Sequence, residues 1–340
     1  MPQEFDSDLL ILGTPGGTVD LRAGALRHPL REDMVARLTT VIPAPPGTVP
    51  SLWLGFLEDV FAGDRQLIAF MQRAAGYALT GLTTEHKLLF LFGTGRNGKS
   101  TFLNVLLELW GAYARRVPAS AFLSSQGERH PTALAGLAGA RLAVASELPK
   151  GRSWDEAVIK DLTGGDRMTA RFMRQDFFDF DPQLSLMIAG NTQPSFRGVD
   201  EAIRARVVLV PFTVCIPPER RDTKLFGKLI AEGPAILRWA IDGAVEWQRR
   251  GLAVPESVAT ASAQYLDGED TLGQFLADET EQDTAAFVTF DALHLRFKVW
   301  MDKQGLNPWT MHTLNKELKT RGFQEGRRAV GRGFHALRLA

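Results

Sequence analysis

The sequence predicts an α/β protein with a mainly parallel sheet and a phosphate cradle at a strand-to-helix junction. Three observations carry this expectation. Strand-like and helix-like stretches alternate at 87–92, 102–113, 141–146, 155–163, 184–190 and 206–212, the pattern of parallel strands covered by helices. The run Leu88 to Thr101, LLFLFGTGRNGKST, leads an apolar strand directly into GxxxxGK[ST]. The chain is 340 residues long, enough for two or three domains of the usual ~100 to 200 residues.

Residues 1–50 alternate short apolar stretches (LLIL, TVDL) with Gly and Pro, ending at Pro43, Pro45, Pro46 and Pro50, and read as an extended lead-in without a core. From 51 to 84 apolar residues recur at helical spacing (Leu54, Leu57, Phe61, then Leu67, Phe70, Ala74), with Gly63 and Asp64 as break and helix start, which predicts a small helical subdomain. Residues 85–250 hold the alternating pattern and close with a helical lid, where Ile236, Trp239, Ala240, Ala244 and Trp247 fall near one face. The stretch 251–270, with Pro255 and many small residues, reads as a linker. Residues 271–340 read as a separate α+β unit, with LHLRFKVWMDKQG and MHTLNKELKTRGF as its clearest helices.

Bulk properties narrow the function classes. Lysine plus arginine equals aspartate plus glutamate, 39 against 39, so nucleic-acid contact must come from local patches. The single cysteine, Cys215, excludes internal disulfides and cysteine zinc sites, suggests a reducing compartment and reads as a core or strand-end residue. No run approaches the ~20 apolar residues of a membrane span. The amino terminus, MPQEFDSDLL, is acidic where a signal peptide would be basic. The expectation is a soluble, cytoplasmic protein.

A triphosphate demands convergent backbone N–H groups, a cation near the β/γ bridge and a hydroxyl for Mg²⁺. Gly93, Gly95 and Gly98 permit that backbone, and Thr94, Arg96 and Asn97 complete the loop. Lys99 would neutralise the β- and γ-phosphates, Ser100 would ligate Mg²⁺ and Thr101 would sit near the α-phosphate, with the helix FLNVLLELWGAYA aiming its positive end at the anion. The cofactors implied are ATP and Mg²⁺. Hydrolysis also needs an acid. RLAVASE brings Glu147 to the carboxyl end of a buried strand, where it would orient or deprotonate the attacking water, with Ser146 helping to place the metal. A third strand ends in Asn191, whose amide suits the γ-phosphate or the lytic water. Arg204 and Arg206 follow, just before VVLVPF, and their guanidinium groups suit phosphate.

Two further regions suit nucleic acid. After the Gly164–Gly165 turn, Arg167, Arg171 and Arg174 recur among Phe172, Phe177, Phe178 and Phe180, cations for phosphates and rings for bases. Asp176, Asp179 and Asp181 dilute that charge, and the phenylalanines also suit a core strand. From Thr313 onward seven Lys and Arg, Arg327 and Arg328 among them, face only Glu317 and Glu325. A helix followed by the basic strand pair GRRAVGRGF suits a winged-helix DNA module, and a solvated charged face is the alternative.

Taken in order, the cradle, the ASE strand end, the segment KDLTGGDRMTARFMRQDFF, the strand ending in GN and the DEAIRAR-VPF block resemble superfamily 3 helicases of the phage and plasmid primase-helicase branch. FLEDVFAGD…LTG resembles that family's helical collar and 271–340 its winged-helix-like domain, so the resemblance covers most of the chain. It implies a P-loop NTPase core of the AAA+-like, superfamily 3 kind, between an amino-terminal helical collar and a small carboxy-terminal α+β winged-helix-like domain. It implies a hexameric ring around one DNA strand, acting on single-stranded and forked DNA, with ATP at subunit interfaces and arginine fingers supplied in trans. On this reading Lys99 and Ser100 form the Walker A site, Glu147 is the Walker B acid, Asn191 the sensor and Arg204 or Arg206 the finger. Lys160 falls between the Walker B and sensor strands, facing nucleotide or DNA, and the pore-lining hairpin falls near Arg167 to Arg174. The chain departs from the family in Arg204-Ala205-Arg206, where adjacent arginines are usual, and in TQPSF after Asn191, where relatives more often carry a basic residue. No primase domain is expected before the collar, so a separate primase or initiator would prime. An ATP-gated DNA loader or scaffold is the alternative function, and a small-molecule phosphotransferase fits the basic carboxy-terminal unit poorly.

Overall fold

A computed structural model describes residues 5–124, 132–149, 151–196, 198–306 and 309–340. The start of the acidic amino terminus and Lys150, in the loop after Glu147, lie outside the described residues. The chain forms two compact units, Met1–Ser195 with Ala205–Ser262, and Phe196–Arg204 with Ala263–Ala340.

The first unit opens with β1 (Ile11–Thr14), β2 (Gly17–Asp20) and β3 (Ala25–Arg27), an antiparallel meander. This corrects the expectation of a coreless lead-in. Leu12, Val19 and Leu21 are fully buried in the main core, because the tight Thr14–Gly17 turn lets the LLIL and TVDL stretches pair. Arg141 pins the meander, donating from Nη2 to the Ile11 carbonyl (2.9 Å) and from Nη1 to the Leu79 carbonyl (2.8 Å) while its guanidinium lies 4.5 Å from the Tyr113 ring centre.

Two helices follow, α1 (Ser51–Val60) and α2 (Arg65–Tyr77), the second capped by Asp64, which accepts from the Gln66 and Leu67 amides. Next come β4 (Leu88–Phe92), α3 (Lys99–Trp110), β5 (Ala114–Arg116), α4 (Thr132–Ala135), β6 (Leu142–Ala145), α5 (Glu156–Gly164), the short strands β7 (Met168–Ala170) and β8 (Phe178–Phe180), β9 (Ser185–Gly190), α6 (Glu201–Arg206) and β10 (Val207–Pro211). Five of these strands form one parallel sheet in the order β10-β4-β9-β6-β5. Their side chains are almost all buried, as the near-continuous apolar runs LLFLF, LAVA and SLMIAG require of a sheet covered on both faces.

Helices α7 (Leu225–Ala231) and α8 (Gly233–Arg250) pack back on this layer. Ile236, Trp239, Ala240, Ala244 and Trp247 of α8 are all buried. A Cβ on Gly76 would stand 2.1 Å from the Ala244 nitrogen, and one on Gly243 would stand 2.1 Å from the Gln72 carbonyl oxygen, so α2 and α8 cross in backbone contact. Trp53 of α1 stacks on Phe102 of α3 at 5.4 Å and meets Trp239 of α8 edge-on at 5.6 Å. Residues 51–84 therefore share one core with the sheet and do not fold as a subdomain of their own.

Two more expectations are corrected. The stretch read as a linker contains α9 (Glu256–Glu269), whose buried Val258, Ser262, Tyr265 and Leu266 recur at helical spacing. Its many small residues masked that period. Cys215 lies beyond β10 and is exposed.

The second unit holds α10 (Thr271–Glu279), β11 (Thr280–Thr289), α11 (Phe290–Lys303), α12 (Met311–Thr320), β12 (Glu325–Arg328) and β13 (Gly331–Leu339). Its antiparallel sheet runs β11-β13-β12 over a core that includes Phe275, Phe297, Trp300, Leu314, Leu318 and Phe334. Residues 196–204 join this unit, with Phe196 packed on Tyr265 at 5.8 Å.

Candidate nucleotide site

The sheet topology fixes where a ligand can enter. From β4 the chain passes through α3 to β5 at the far edge, returns through β6 and β9, then crosses β4 to β10 on the other side. Between β4 and β9 the connections run in opposite directions, and ligands of open sheets bind at the carboxyl ends of strands at such a point. Gly93 to Ser100 occupy that position.

The turn between β4 and α3 depends on its glycines. Gly95 (φ 107°) and Gly98 (φ 87°) adopt left-handed backbone, and Arg96 does so without being glycine (φ 55°). A Cβ on Gly98 would stand 2.5 Å from Val60 Cγ1, because α1 packs directly under the loop. Latches hold the turn from the other side. Asn97 Nδ2 donates to the Phe212 carbonyl (2.8 Å), the Phe212 amide to Phe92 (2.7 Å) and the Ile216 amide to Arg96 (3.0 Å). Thr94, Arg96 and Ser100 are exposed and Thr101 is half-buried. The first-turn N–H groups of α3 have no intrahelical partners and carry the helix's positive end.

Lys99 is 4% exposed. Its ammonium donates to three neutral oxygens, the Gly93 carbonyl (2.8 Å), Asn97 Oδ1 (2.8 Å) and Asn191 Oδ1 (3.0 Å). Burial lowers its pKa from 10.5 to about 8, since dipoles replace little of the hydration that the charge has lost. A cation desolvated this way is set up for an anion.

Asn191 follows β9, with Nδ2 3.9 Å from where a Cβ on Gly95 would stand, so its amide bridges the lysine and the loop. Glu147 lies two residues beyond β6, exposed and in left-handed backbone (φ 64°). A non-glycine residue pays ~1 kcal/mol or more for that conformation. Its neighbour Leu148 packs beside Gly190, with Cδ1 2.8 Å from where a Cβ would stand, which brings the 146–148 turn alongside Asn191. Arg116, at the end of β5, donates to Ser146 Oγ (3.0 Å) and also bonds Asn104. That cation on Ser146 had no signal in the sequence, because it arrives there only through the pairing of β5 with β6.

Arg204 and Arg206, alike in the sequence, part company in the fold. Arg204 donates to Asp267 Oδ1 (2.7 Å) and Asp270 Oδ2 (3.1 Å) within the second unit. Asp270 is 9% exposed in its side chain and also receives Arg321 and the Gly273 amide (2.9 Å). Burial alone would raise the Asp270 carboxyl, but Arg321, the Gly273 amide and Arg204 together bring it below its ordinary value. Arg206, in the first unit, donates from Nε to Thr163 Oγ1 (3.2 Å). Lys160 is half-buried on α5.

The segment carrying Arg167, Arg171 and Arg174 forms a hairpin through the antiparallel pairing of β7 and β8. Arg167 pairs with Asp181 across its base (2.9 and 3.1 Å). At its tip Phe172, Met173 and Phe177 are exposed, Arg171 lies 4.7 Å from the Phe177 ring centre, and Arg174 is in left-handed backbone (φ 61°). The exposed rings at the tip exclude a simple core strand. In the second unit Arg327 and Arg328 are exposed on β12, with Arg328 5.1 Å from the Phe287 ring centre. Much of the basic excess there is matched, since Lys319 and Arg332 share Glu325, Arg338 meets Glu281, and Arg321 meets Asp270.

Comparison with known proteins finds likenesses in sequence and in fold. Residues 1–62 match the family described as D5 N terminal like, and residues 91–205 match a family of unknown function, DUF5906. The chain is 24% identical over 268 residues to "Putative helicase 022R" of Frog virus 3 (isolate Goorha), covering 73% of this chain and 27% of that protein. It is 27% identical over 221 residues to "Putative helicase 184R" of Invertebrate iridescent virus 6, covering 62% and 23%. The chain thus spans about a quarter of the length of these curated relatives. Among solved structures it is similar in fold to the apo structure of the NrS-1 C-terminal region, with TM-score 0.54, 12% identity, and coverage of 88% of this chain and 78% of that one. An A-form apo structure of the same region gives TM-score 0.53, 10% identity, and coverage of 87% and 76%. These likenesses set the chain beside viral proteins named putative helicases in sequence and beside the NrS-1 C-terminal region in fold.

Proposed function

We propose that this chain is an ATP-dependent DNA helicase of superfamily 3 from a phage or mobile-element replication system, hydrolysing ATP at subunit interfaces to move along single-stranded DNA and open a fork. The observation that carries the proposal is the desolvated Lys99 ammonium, held by neutral oxygens at the switch point of a parallel sheet. Gly93 to Gly98 act as the P-loop, their backbone N–H groups binding the β- and γ-phosphates with Lys99, and Thr101 lies by the α-phosphate. Among the described residues no three His, Cys, Asp or Glu side chains cluster as a metal site. A magnesium ion would therefore come bound to the nucleotide's phosphates, meeting Ser100 and, through water, Glu147, and would supply charge neutralisation. Glu147 orients or deprotonates the attacking water and Asn191 senses the γ-phosphate.

The arginine finger, supplied to the neighbouring subunit of a ring, is Arg204 or Arg206; Asp267 and Asp270 engage the first, and the second donates to Thr163. On the DNA side, the exposed rings and arginines of the β7–β8 tip face the strand, with Lys160 and Arg167 behind them, and stacking with phosphate neutralisation supplies affinity. The order α10, β11, α11, α12, β12, β13 suits a winged-helix module in which Arg327 and Arg328 belong to the wing. No helix among the described residues is long and apolar enough to cross a membrane.

The test is ATP hydrolysis with and without single-stranded DNA, together with unwinding of a forked duplex, for the parent and Lys99→Ala. DNA-stimulated hydrolysis and unwinding that Lys99→Ala abolishes are expected. Hydrolysis indifferent to DNA would sink the proposal, and stimulated hydrolysis without unwinding would favour the loader.

A further inference from the structure

A groove of about 430 Å³ lies in the first unit between α1 and the segment that runs from Ile216 to Leu225. Its volume is that of a small-molecule site. Leu52, Gly55 and Phe56 form one wall, Ile216 and Leu225 the other, and Asp59 and Arg220 form an ion pair (2.6 Å) at its rim. Both walls are fastened to the glycine-rich loop. Phe56 Cε2 is 3.0 Å from where a Cβ on Gly98 would stand, and the Ile216 amide donates to Arg96 (3.0 Å). The apolar lining is not buried by the protein itself. Leu52 is 39% exposed, and Ile216 and Leu225 are half-buried.

We propose that this groove takes the base and ribose of the nucleoside triphosphate whose phosphates occupy the Gly93 to Ser100 loop. The inference rests on the reading of that loop as a phosphate site and extends it to the other half of the ligand. A triphosphate seated on the loop leaves its nucleoside within reach of walls that touch the same loop. The flat, apolar faces of a base match Leu52, Phe56, Ile216 and Leu225, and burying them there removes apolar surface from water on both sides. The rim carboxylate of Asp59 accepts from ribose hydroxyls, and Arg220 keeps that carboxylate oriented.

Gly55 makes the proposal testable. It stands mid-helix on the groove wall, and a Cβ added to it would meet no atom within 4 Å. Gly55→Leu therefore fills the groove without displacing the core, and it replaces a poor helix former by a good one. The measurement is the affinity of the full chain for ATP and for inorganic tripolyphosphate, which carries the same phosphate chain without base or ribose. The parent should bind ATP at least tenfold more tightly than tripolyphosphate. Gly55→Leu should lose that preference while its tripolyphosphate affinity stays within twofold of the parent's. Leu225→Ala, which thins the opposite wall, should reduce the preference severalfold. Equal ATP affinity in the parent and Gly55→Leu would overturn the inference and leave the phosphate site standing. So would an equal weakening of both ligands by Gly55→Leu. A parent that binds neither ligand would overturn the phosphate site and the groove reading with it.

Discussion

If the buried Lys99 ammonium awaits an anion, nucleotide affinity must depend on pH in a way that the structure fixes. Burial depresses its pKa from 10.5 to about 8 in the free protein. At 1.36 kcal/mol per pH unit this is a cost of about 3 kcal/mol for keeping the ammonium charged, and the phosphates of a ligand would offset it. The sign follows from linkage. A lysine with a depressed folded pKa destabilises the free fold below pH 8, and the cost fades as pH rises from about 8 towards 10.5. Bound nucleotide restores the ordinary pKa, so binding takes up a proton above pH 8. Affinity should halve between pH 7 and 8 and be about tenfold lower at pH 9, while the nucleotide's own charge is constant. Calorimetric titration at pH 7.5, 8, 8.5 and 9, in two buffers of different ionisation heat, measures both the affinity and the protons taken up. Lys99→Met should bind weakly with no such dependence. Its free-state stability should also lack the rise with pH between 8 and 10.5 that the parent shows. A flat affinity from pH 7.5 to 9 with no proton uptake would refute the reasoning, because Lys99 would then be neither desolvated nor paired with phosphate.

Further outcomes are expected at the acid and at the two arginines. Glu147→Gln should lower ATP hydrolysis by ~10² or more and leave nucleotide affinity unchanged, whereas Glu147→Gly should also raise thermal stability by about 1 kcal/mol by relieving the left-handed backbone at φ 64°; an unchanged rate in Glu147→Gln removes it from the site. Arg204→Ala should cost about 2 kcal/mol in a denaturant titration, because the buried Asp270 loses one of its two guanidinium partners. Arg206→Ala should lower hydrolysis by ~10³ if it supplies the finger, with partial recovery on mixing with Lys99→Ala subunits. No recovery in assembled mixtures would count against a finger acting in trans.

The expected strands at 87–92, 141–146, 184–190 and 206–212 agree with β4, β6, β9 and β10 to within a residue at most ends, since a strand buried on both faces must be a continuous apolar run. The glycine-rich turn was equally readable, because left-handed backbone and close approach to α1 select glycine at Gly95 and Gly98. Misreadings came where the local pattern was weak. The short strands β1 to β3 have no period long enough to read, and small residues hid the α9 helix.

By itself, then, the sequence determined the position of the glycine-rich loop, the alternation that builds a parallel sheet and the order of the candidate acid, amide and arginines. Each of these is written within a few consecutive residues, where backbone geometry and side-chain period act. Only the tertiary structure decided that Lys99 is buried among neutral oxygens, that Arg116 stands beside Ser146, that Arg204 is engaged by Asp267 and Asp270 while Arg206 is not held by that pair, and that α1 and the Ile216 segment frame a groove on the loop. Apart from the Gly93 and Asn97 oxygens on Lys99, these depend on contacts between residues tens of positions or more apart. Distances of that kind exist only once the chain has folded.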